Sequence, residues 1–346
     1  NSYATQKRWR LPDYPALQEI QRALWGAGET RGAAVMVGAG FSVNAERTSM
    51  MAPTPPLWRD FSRRMIADLY PSSSELAGFD PLRLAEEYRA AFGPSALEAM
   101  IREMVPDRLW NPGPLHQELL ALPWAEVLTT NWDTLLERAA LEEHDRAYEL
   151  VETVDAIART RSPRIVKLHG SLASQEPFIF ASEDYRTYPV RFAPFVNLAQ
   201  QALLENEMVL LGFSGDDPNF LQWTGWVRDQ LGASARRIRL VGVLRLSAAR
   251  RRMLESLNVT PIDLEPLVSN LDPADQHRAA TETLLASLRS ARPPSVRQWS
   301  QEFERLEDKI EPAKIIETWA AIRASYPGWL LAPASVRQRL RYDVDS

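Results

Sequence analysis

The sequence predicts an α/β protein built on a doubly wound, Rossmann-like parallel sheet, with a small helical subdomain inserted early and a helical tail at the end. Three observations carry this. Short apolar runs rich in Val, Ile and Leu recur, and each stops at glycine or polar residues, the pattern of strands buried on both faces of a parallel sheet. Segments with apolar residues three and four positions apart fill the gaps, which is helical periodicity. The two signals alternate along the chain, as they do in βαβ units.

The elements follow in chain order. Residues 1–30 read as a helical lead-in, ahead of a main domain over 31–290. A first strand over Ala33–Val37 ends in Gly38-Ala39-Gly40-Phe41-Ser42. Gly38 and Gly40 permit φ > 0 and carry no Cβ, so a pyrophosphate can approach the main chain where a helix begins. Taken alone, such a turn is equally compatible with a connection that binds nothing. From about 52 to 122 prolines interrupt the helical pattern, and this stretch is expected to form the inserted subdomain, a lid over the glycine loop. Its predicted helices include Leu57–Leu69 and Leu82–Ala91. A second strand, Val127–Thr130, leads to Asn131-Trp132-Asp133 and a helix over Thr134–Ala140, and a third, Arg164–Leu168, leads to His169-Gly170-Ser171. After a helix over Phe195–Glu205, a fourth strand, Met208–Leu211, opens into Gly212-Phe213-Ser214 and Asp217-Pro218-Asn219. A helix over Phe220–Leu231 and a strand over Ile238–Leu244 follow. From about Pro261 the strand signal fades, and residues 291–346 read as a tail of amphipathic helices, with Trp299, Phe303, Leu306 and Ile310 on one face. Such stripes are packing surfaces, so the tail is assigned to docking, subunit contact or a link to further domains.

Composition narrows the function. With 346 residues, 45% of them hydrophobic, the chain can bury a full core. It has no cysteine, which excludes disulfides, thiolate zinc sites and cysteine nucleophiles and is compatible with a reducing compartment. No run approaches the roughly 18 apolar residues of a membrane helix, and the polar start lacks the apolar core of a signal peptide. A soluble, cytoplasmic protein is expected, without membrane association. A net charge of −5 gives no general electrostatic reason to bind nucleic acid, and the basic runs at 236–239 and 250–252 read as solvated edges. The start at Asn1 without methionine reads as a piece of a longer protein.

Polar clusters stand at the predicted strand ends, where an open α/β sheet places its ligand. Asn131 offers a donor and an acceptor, suited to a ribose hydroxyl or a water. Asp133 is equally readable as a helix cap. His169 is either a satisfied core histidine or, at a strand end beside glycine, a group whose near-neutral pKa suits it to accept a proton. Gly212 and Ser214 form a second small-residue loop able to take the adenosine half of a dinucleotide, and Asp217-Pro218 has the form of a helix start.

In order and approximate spacing, Gly-Ala-Gly-Phe-Ser (38–42), Thr-Thr-Asn-Trp-Asp (129–133), Lys-Leu-His-Gly (167–170) and Gly-Phe-Ser-Gly-Asp-Asp-Pro-Asn (212–219) resemble the NAD-binding motifs of sirtuins. Protein-deacylating sirtuins carry a four-cysteine zinc module, absent here, and follow the first loop with Gly-Ile-Pro-Asp-Phe-Arg where this chain has Pro53 to Phe61. With those departures the chain is similar to the sirtuin-like domains of bacterial antiphage defence proteins, a group that includes the Thoeris effector, the defence-associated sirtuins and the sirtuin partners of short Argonautes.

The resemblance implies hydrolysis of NAD+, as substrate and with no metal, at the bond between nicotinamide and ribose. Carried over residue by residue, it implies His169 as general base, Asn131 orienting the ribose and water, and Asp133 holding the carboxamide. Gly38, Ala39, Gly40, Phe41, Ser42 and Thr130 would surround the pyrophosphate and its ribose, while Gly212, Phe213, Ser214 and Asp217 would hold the adenine side. Arg59 is a candidate lid contact. The implied partners are further copies of the chain, a tetramer being plausible, and a phage-derived trigger or a defence partner protein. Two other readings stay open: an NAD-dependent protein deacylase or ADP-ribosyltransferase, and a regulatory module that binds NAD+ or ADP-ribose without turnover.

Overall fold

The computed structural model describes residues 11–292, except 27, 29, 73–78, 144–145, 175–176, 215–224, 227–228, 230–231 and 233–235, together with 314 and 317. Helix α1 (Tyr14–Leu24) leads into β1 (Gly32–Val37), the four-residue α2 (Ala39–Ser42) and β2 (Glu46–Arg47). Then come α3 (Trp58–Leu69), α4 (Pro81–Phe92), α5 (Pro94–Met104), β3 (Trp110–Asn111) and α6 (Pro114–Leu120). The chain continues through β4 (Val127–Thr129), α7 (Leu135–Glu142), β5 (Glu149–Val151), β6 (Arg164–Lys167), α8 (Ser182–Arg191) and α9 (Ala193–Glu205). It closes with β7 (Asn206–Leu211), β8 (Ile238–Gly242), α10 (Ala248–Ser256), β9 (Val259–Asp263), α11 (Glu265–Val268) and α12 (Pro273–Ser290).

Seven strands form one parallel sheet in the order β5-β6-β4-β1-β7-β8-β9. Successive side chains of a strand point to opposite faces, and β1 divides accordingly. Ala33, Val35 and Val37 enter a core shared with α1, α6 and α12; Ala34 and Met36 enter a second core on the other face, with residues of α8 and α9. Burial on both faces explains why these strands read as unbroken apolar runs. The chain leaves β1 toward β4 on one side and leaves β7 toward β8 on the other. Connections that diverge in this way open a crevice beyond the strand ends, here between β1 and β7.

The stretch between β2 and β3 is helical. Helices α3, α4 and α5 enclose Phe61, Met65, Leu84 and Ile101, and this third core continues onto Leu135 of α7 and Phe180. The antiparallel pair β2–β3 ties the two ends of the stretch together. No helix among the described residues is long and apolar enough to cross a membrane.

The doubly wound α/β class stands, with five strands where the apolar runs place them. Two strands were not expected. Strand β5 is three residues at the sheet edge, too short for a periodic signal. Strand β9 runs through Pro261, where the sequence signal fades; among the described residues it pairs only with β8, and an edge strand tolerates a residue without an N–H. The predicted helix over Phe220–Leu231 lies outside the described residues apart from a few isolated positions, as do the amphipathic tail after 292 and Asp217.

Candidate active site

Strand β1 delivers Gly38 in extended backbone (φ −107°), and α2 starts at once. Neither Gly38 nor Gly40 has a positive φ; the left-handed residue is Gly212, at φ 77°. The two glycines in the first loop serve close approach instead. A Cβ on Gly38 or on Gly40 would lie 2.8 Å from the Gly212 carbonyl oxygen, and one on Gly212 would lie 2.5 Å from the Phe41 nitrogen. The loops are also bonded: the Gly40 amide donates to the Gly212 carbonyl at 2.9 Å, and the Gly38 amide to Leu211 at 2.8 Å. Of the amides proposed for a pyrophosphate, that of Gly40 is thus already engaged by the second loop.

Beside this loop, the end of β4 places Asn131 and Asp133 against Ser42. The Asn131 Nδ2 group donates to the Gly38 carbonyl at 3.1 Å and to Ser42 Oγ at 3.0 Å. A carbonyl can only accept, so this contact fixes the orientation of the amide. Its other atom, Oδ1, is buried and makes no hydrogen bond among the described residues, an acceptor available to a ligand hydroxyl or a water. Ser42 Oγ donates to Asp133 Oδ2 at 2.7 Å, while Asp133 Oδ1 accepts the Leu135 amide at 3.2 Å. Asp133 therefore braces the start of α7 and holds Ser42 with the same carboxylate. Thr130 lines the same small cavity as these residues.

Lys167 supports this arrangement from β6. It is 1% exposed, pairs with Glu137 Oε1 at 2.8 Å and donates to the Asp133 carbonyl. Burial raises the Glu137 carboxyl above its usual range, and Lys167 opposes that shift. From the inserted helices, Asp107 accepts the Thr134 amide and hydroxyl at 2.8 and 2.6 Å.

His169 is brought to the strand end but covered. It is 1% exposed, its ring meets Tyr185 and Tyr188 edge-on at 5.3 and 5.6 Å, and its carbonyl accepts the Trp132 indole N–H at 3.1 Å. Burial lowers its pKa to about 3, so the ring is neutral near pH 7. A second buried histidine, His116, stands edge-on to Phe41 at 5.1 Å, and burial lowers it to about 4 against the opposing charge of Asp133.

Two cavities adjoin the loops. One, of about 40 Å³, is lined by Ser42, Thr130, Asn131, Trp132 and Asp133 under Trp58 and Phe61. The other, of about 460 Å³, is lined by Gly40, Phe41, Gly212, Phe213, Ser214, the residues after β8 and one side of α12. Only the second reaches the size of a small-molecule site, roughly 300–1,000 Å³. Ala39 and Trp58 line both and mark the junction. Trp58 stacks on Phe180 at 5.0 Å, and Phe61, Trp132 and Phe180 contact one another beside it. His169 lines neither cavity.

Sequence reasoning missed several of these residues. Lys167 is a charge inside an apolar run, and Arg245, which lines the larger cavity, stands just past a strand end; both were visible signals. The partnership of Trp58 with Phe180 joins positions too far apart in sequence to be read from it.

Residues 125–262 match the model of the SIR2-like domain. The NAD(+) hydrolase ThsA of Acinetobacter baumannii is 33% identical over 111 residues, 31% of this chain and 23% of that protein. Defense-associated sirtuin 2 of Bacillus subtilis is 24% identical over 199 residues, 56% of this chain and 19% of that protein. The chain thus spans about a fifth of the length of these relatives. A solved SIR2 homologue in complex with NAD aligns over 81% of this chain and 95% of its own, at 14% identity and a TM-score of 0.46. The matched residues 125–262 are those on which Asn131, Asp133 and His169 stand, and over them this chain is similar to the SIR2-like domain.

Proposed function

We propose that the chain is an NAD+ hydrolase that cleaves the bond between nicotinamide and ribose, acting in antiphage defence by depleting NAD+. The observation that carries this is Asn131: a side chain fixed by Gly38 and Ser42, with a buried acceptor oxygen left over, one loop away from a ligand-sized cavity. The matched relatives named as an NAD(+) hydrolase and a defence-associated sirtuin support the reading.

In the reaction the ribose C1′–N bond breaks and its electron pair leaves with nicotinamide, which departs neutral. Water bonds to C1′ and loses one proton, giving ADP-ribose. The ribose develops oxocarbenium character, and oriented dipoles that match this charge are the main means of acceleration. Asn131 Oδ1 is placed to orient the ribose hydroxyl or the water. Ser42 and Asp133 hold Asn131, and neutral His169 is the assigned proton acceptor. The proton acceptor must reach the reacting atoms, so turnover requires the rings of Tyr185 and Tyr188 that meet His169 to move aside and expose it. In that scheme residues 31–290 form the catalytic domain, with 52–122 as its lid, and self-assembly, the trigger and the tail after 291 are where control is placed.

Incubating the full chain with NAD+ and quantifying nicotinamide and ADP-ribose by chromatography tests this. Asn131→Ala and His169→Ala are each expected to lower the rate about a hundredfold or more. Undiminished turnover in either variant removes the catalytic assignment. The complete burial of His169 favours one alternative, binding without turnover. That alternative gains if ADP-ribose binds while no nicotinamide appears.

A further inference from the structure

The larger cavity extends away from Asn131. It runs from the end of β1 past β7 to the end of β8, where Val243 to Leu246 and Arg250 form its wall, and α12 closes it with His277, Ala280 and Thr281. Parallel strands lie about 4.8 Å apart, so β8 is about 14 Å from β4, which carries Asn131 at its end. An extended dinucleotide spans that distance. With its nicotinamide ribose at Asn131 and its diphosphate at the glycine loops, its adenosine ribose falls at the end of β8.

The wall there is cationic. Arg59, Arg245 and Arg250 line the cavity, and no described carboxylate does; Asp216 and Asp217 lie outside the described residues. Dinucleotide sites select at this ribose by charge: an acidic side chain accepts hydrogen bonds from a free 2′-hydroxyl, and an arginine accommodates a 2′-phosphate. Asp263, at the end of the neighbouring strand β9, is committed elsewhere. Its oxygens accept the amides of Leu244 at 2.9 Å, Leu246 at 3.3 Å and Glu265 at 3.1 Å.

That commitment builds the site. By holding the amides on both sides of Arg245, Asp263 fixes the residue at φ 50°, a left-handed conformation that a side chain other than glycine keeps only where the surroundings over-determine it. The guanidinium is anchored as well. Arg245 donates to Gln276 Oε1 at 2.5 Å, and Gln276, 6% exposed, donates in turn to the Leu271 carbonyl at 3.0 Å. A strained arginine held from both the backbone and the side chain, and presented to a ligand-sized cavity, is a preorganised anion contact. Partial burial first, and then the charges of Arg245 and Arg59, lower the His277 pKa, as a wall of positive potential would.

We infer that this cavity accepts a nicotinamide dinucleotide carrying a 2′-phosphate on its adenosine ribose, NADP+, with Arg245 as the specificity-determining residue and Arg250 beside it. The inference rests on the hydrolase reading for the placement of the reacting end. It goes beyond that reading in naming the substrate class.

The test measures nicotinamide release by the full chain from NAD+ and from NADP+, and calorimetric binding of ADP-ribose and of 2′-phospho-ADP-ribose. The wild-type chain is expected to favour the 2′-phosphorylated compound in both assays. Arg245→Asn removes the charge with a residue that tolerates positive φ, and it should lower the NADP+ to NAD+ ratio of kcat/KM about tenfold, the value of one charge-assisted hydrogen bond. Arg250→Gln gives an independent variant with a loss in the same direction. A wild-type preference for NAD+ that neither variant changes overturns the inference and leaves the hydrolase reading intact. Tighter, Arg245-dependent binding of 2′-phospho-ADP-ribose without any nicotinamide release does the reverse. Binding of neither compound overturns both.

Discussion

On the β4 and β6 side of the crevice, Asn131, Asp133, Lys167 and His169 are each 7% exposed or less, and the rings of Trp58, Phe61 and Trp132 line the small cavity at Asn131 and Asp133. On the β7 and β8 side, Arg59 and Arg245 are exposed and face a cavity some ten times larger. The difference separates two tasks. The first side spends burial on holding a few polar atoms in fixed positions, which a reacting centre needs. The second leaves its charges solvated, which lowers the desolvation cost when an anionic ligand arrives.

The contrast is broken most severely at Lys167. Lys167→Ala leaves Glu137 buried beside Asp133 without its cation, and the loss of a buried partner costs about 3–5 kcal/mol. Urea unfolding should show it, and Glu137→Gln added to the same chain should recover part of the loss. An unchanged midpoint would mean that the pair is not the brace described. Gly212→Ala comes next. A Cβ at φ 77° that meets the Phe41 nitrogen and the Gly38 oxygen is expected to cost about 2–3 kcal/mol. A thermal melt checks this, and a melt like wild type would show that the loops can separate freely.

Acid provides a graded test. His169 and His116 have folded pKa values of about 3 and about 4, below their unfolded value, so the unfolded chain binds more protons as pH falls. Their contribution is complete above the unfolded value near 6.5 and is lost as pH drops through 4 and 3, at up to about 1.4 kcal/mol per pH unit for each ring. His277 shifts in the same direction. Stability measured from pH 7 to 4 should fall, and His116→Gln should flatten the slope. A flat wild-type profile would contradict the burial of both rings. The smallest effect belongs to the junction. Trp58→Ala removes the stack on Phe180 and joins the two cavities, and basal nicotinamide release is expected to rise a few-fold as open forms gain population. A reduced rate would instead make Trp58 part of the substrate's own surface.

Much of this was legible in the sequence because buried parallel strands announce themselves as apolar runs. The strands ending at Val37, Thr129, Lys167 and Leu211 carry the glycine, asparagine and histidine clusters, so the convergence of those clusters on one edge of the sheet followed from the alternation of strand and helix. The actual job of the glycines was not legible. Gly38 and Gly40 were read as room for a phosphate, whereas the space they leave is occupied by the backbone at Gly212. That contact joins residues far apart in sequence, and nothing local encodes it. Strand β9 was hidden by Pro261, a breaker in a central strand but not at an edge. The cover over His169 depends on Tyr185 and Tyr188 of a later helix and on Trp132, and the strain at Arg245 on a carboxylate in the next strand. Local pattern reports neither.

The bond from the Gly40 amide to the Gly212 carbonyl has a thermodynamic consequence. A phosphate that draws the Gly40 N–H toward itself must first release Gly212, and releasing Gly212 frees the turn that borders the adenosine side. Occupancy at one end of the crevice and loop order at the other are thereby coupled, and such coupling is reciprocal. Under the proposed reading, a ligand that orders the loop at Gly212 alters the affinity of the Gly40 loop for a phosphate by the same factor as the phosphate alters that ligand's own affinity.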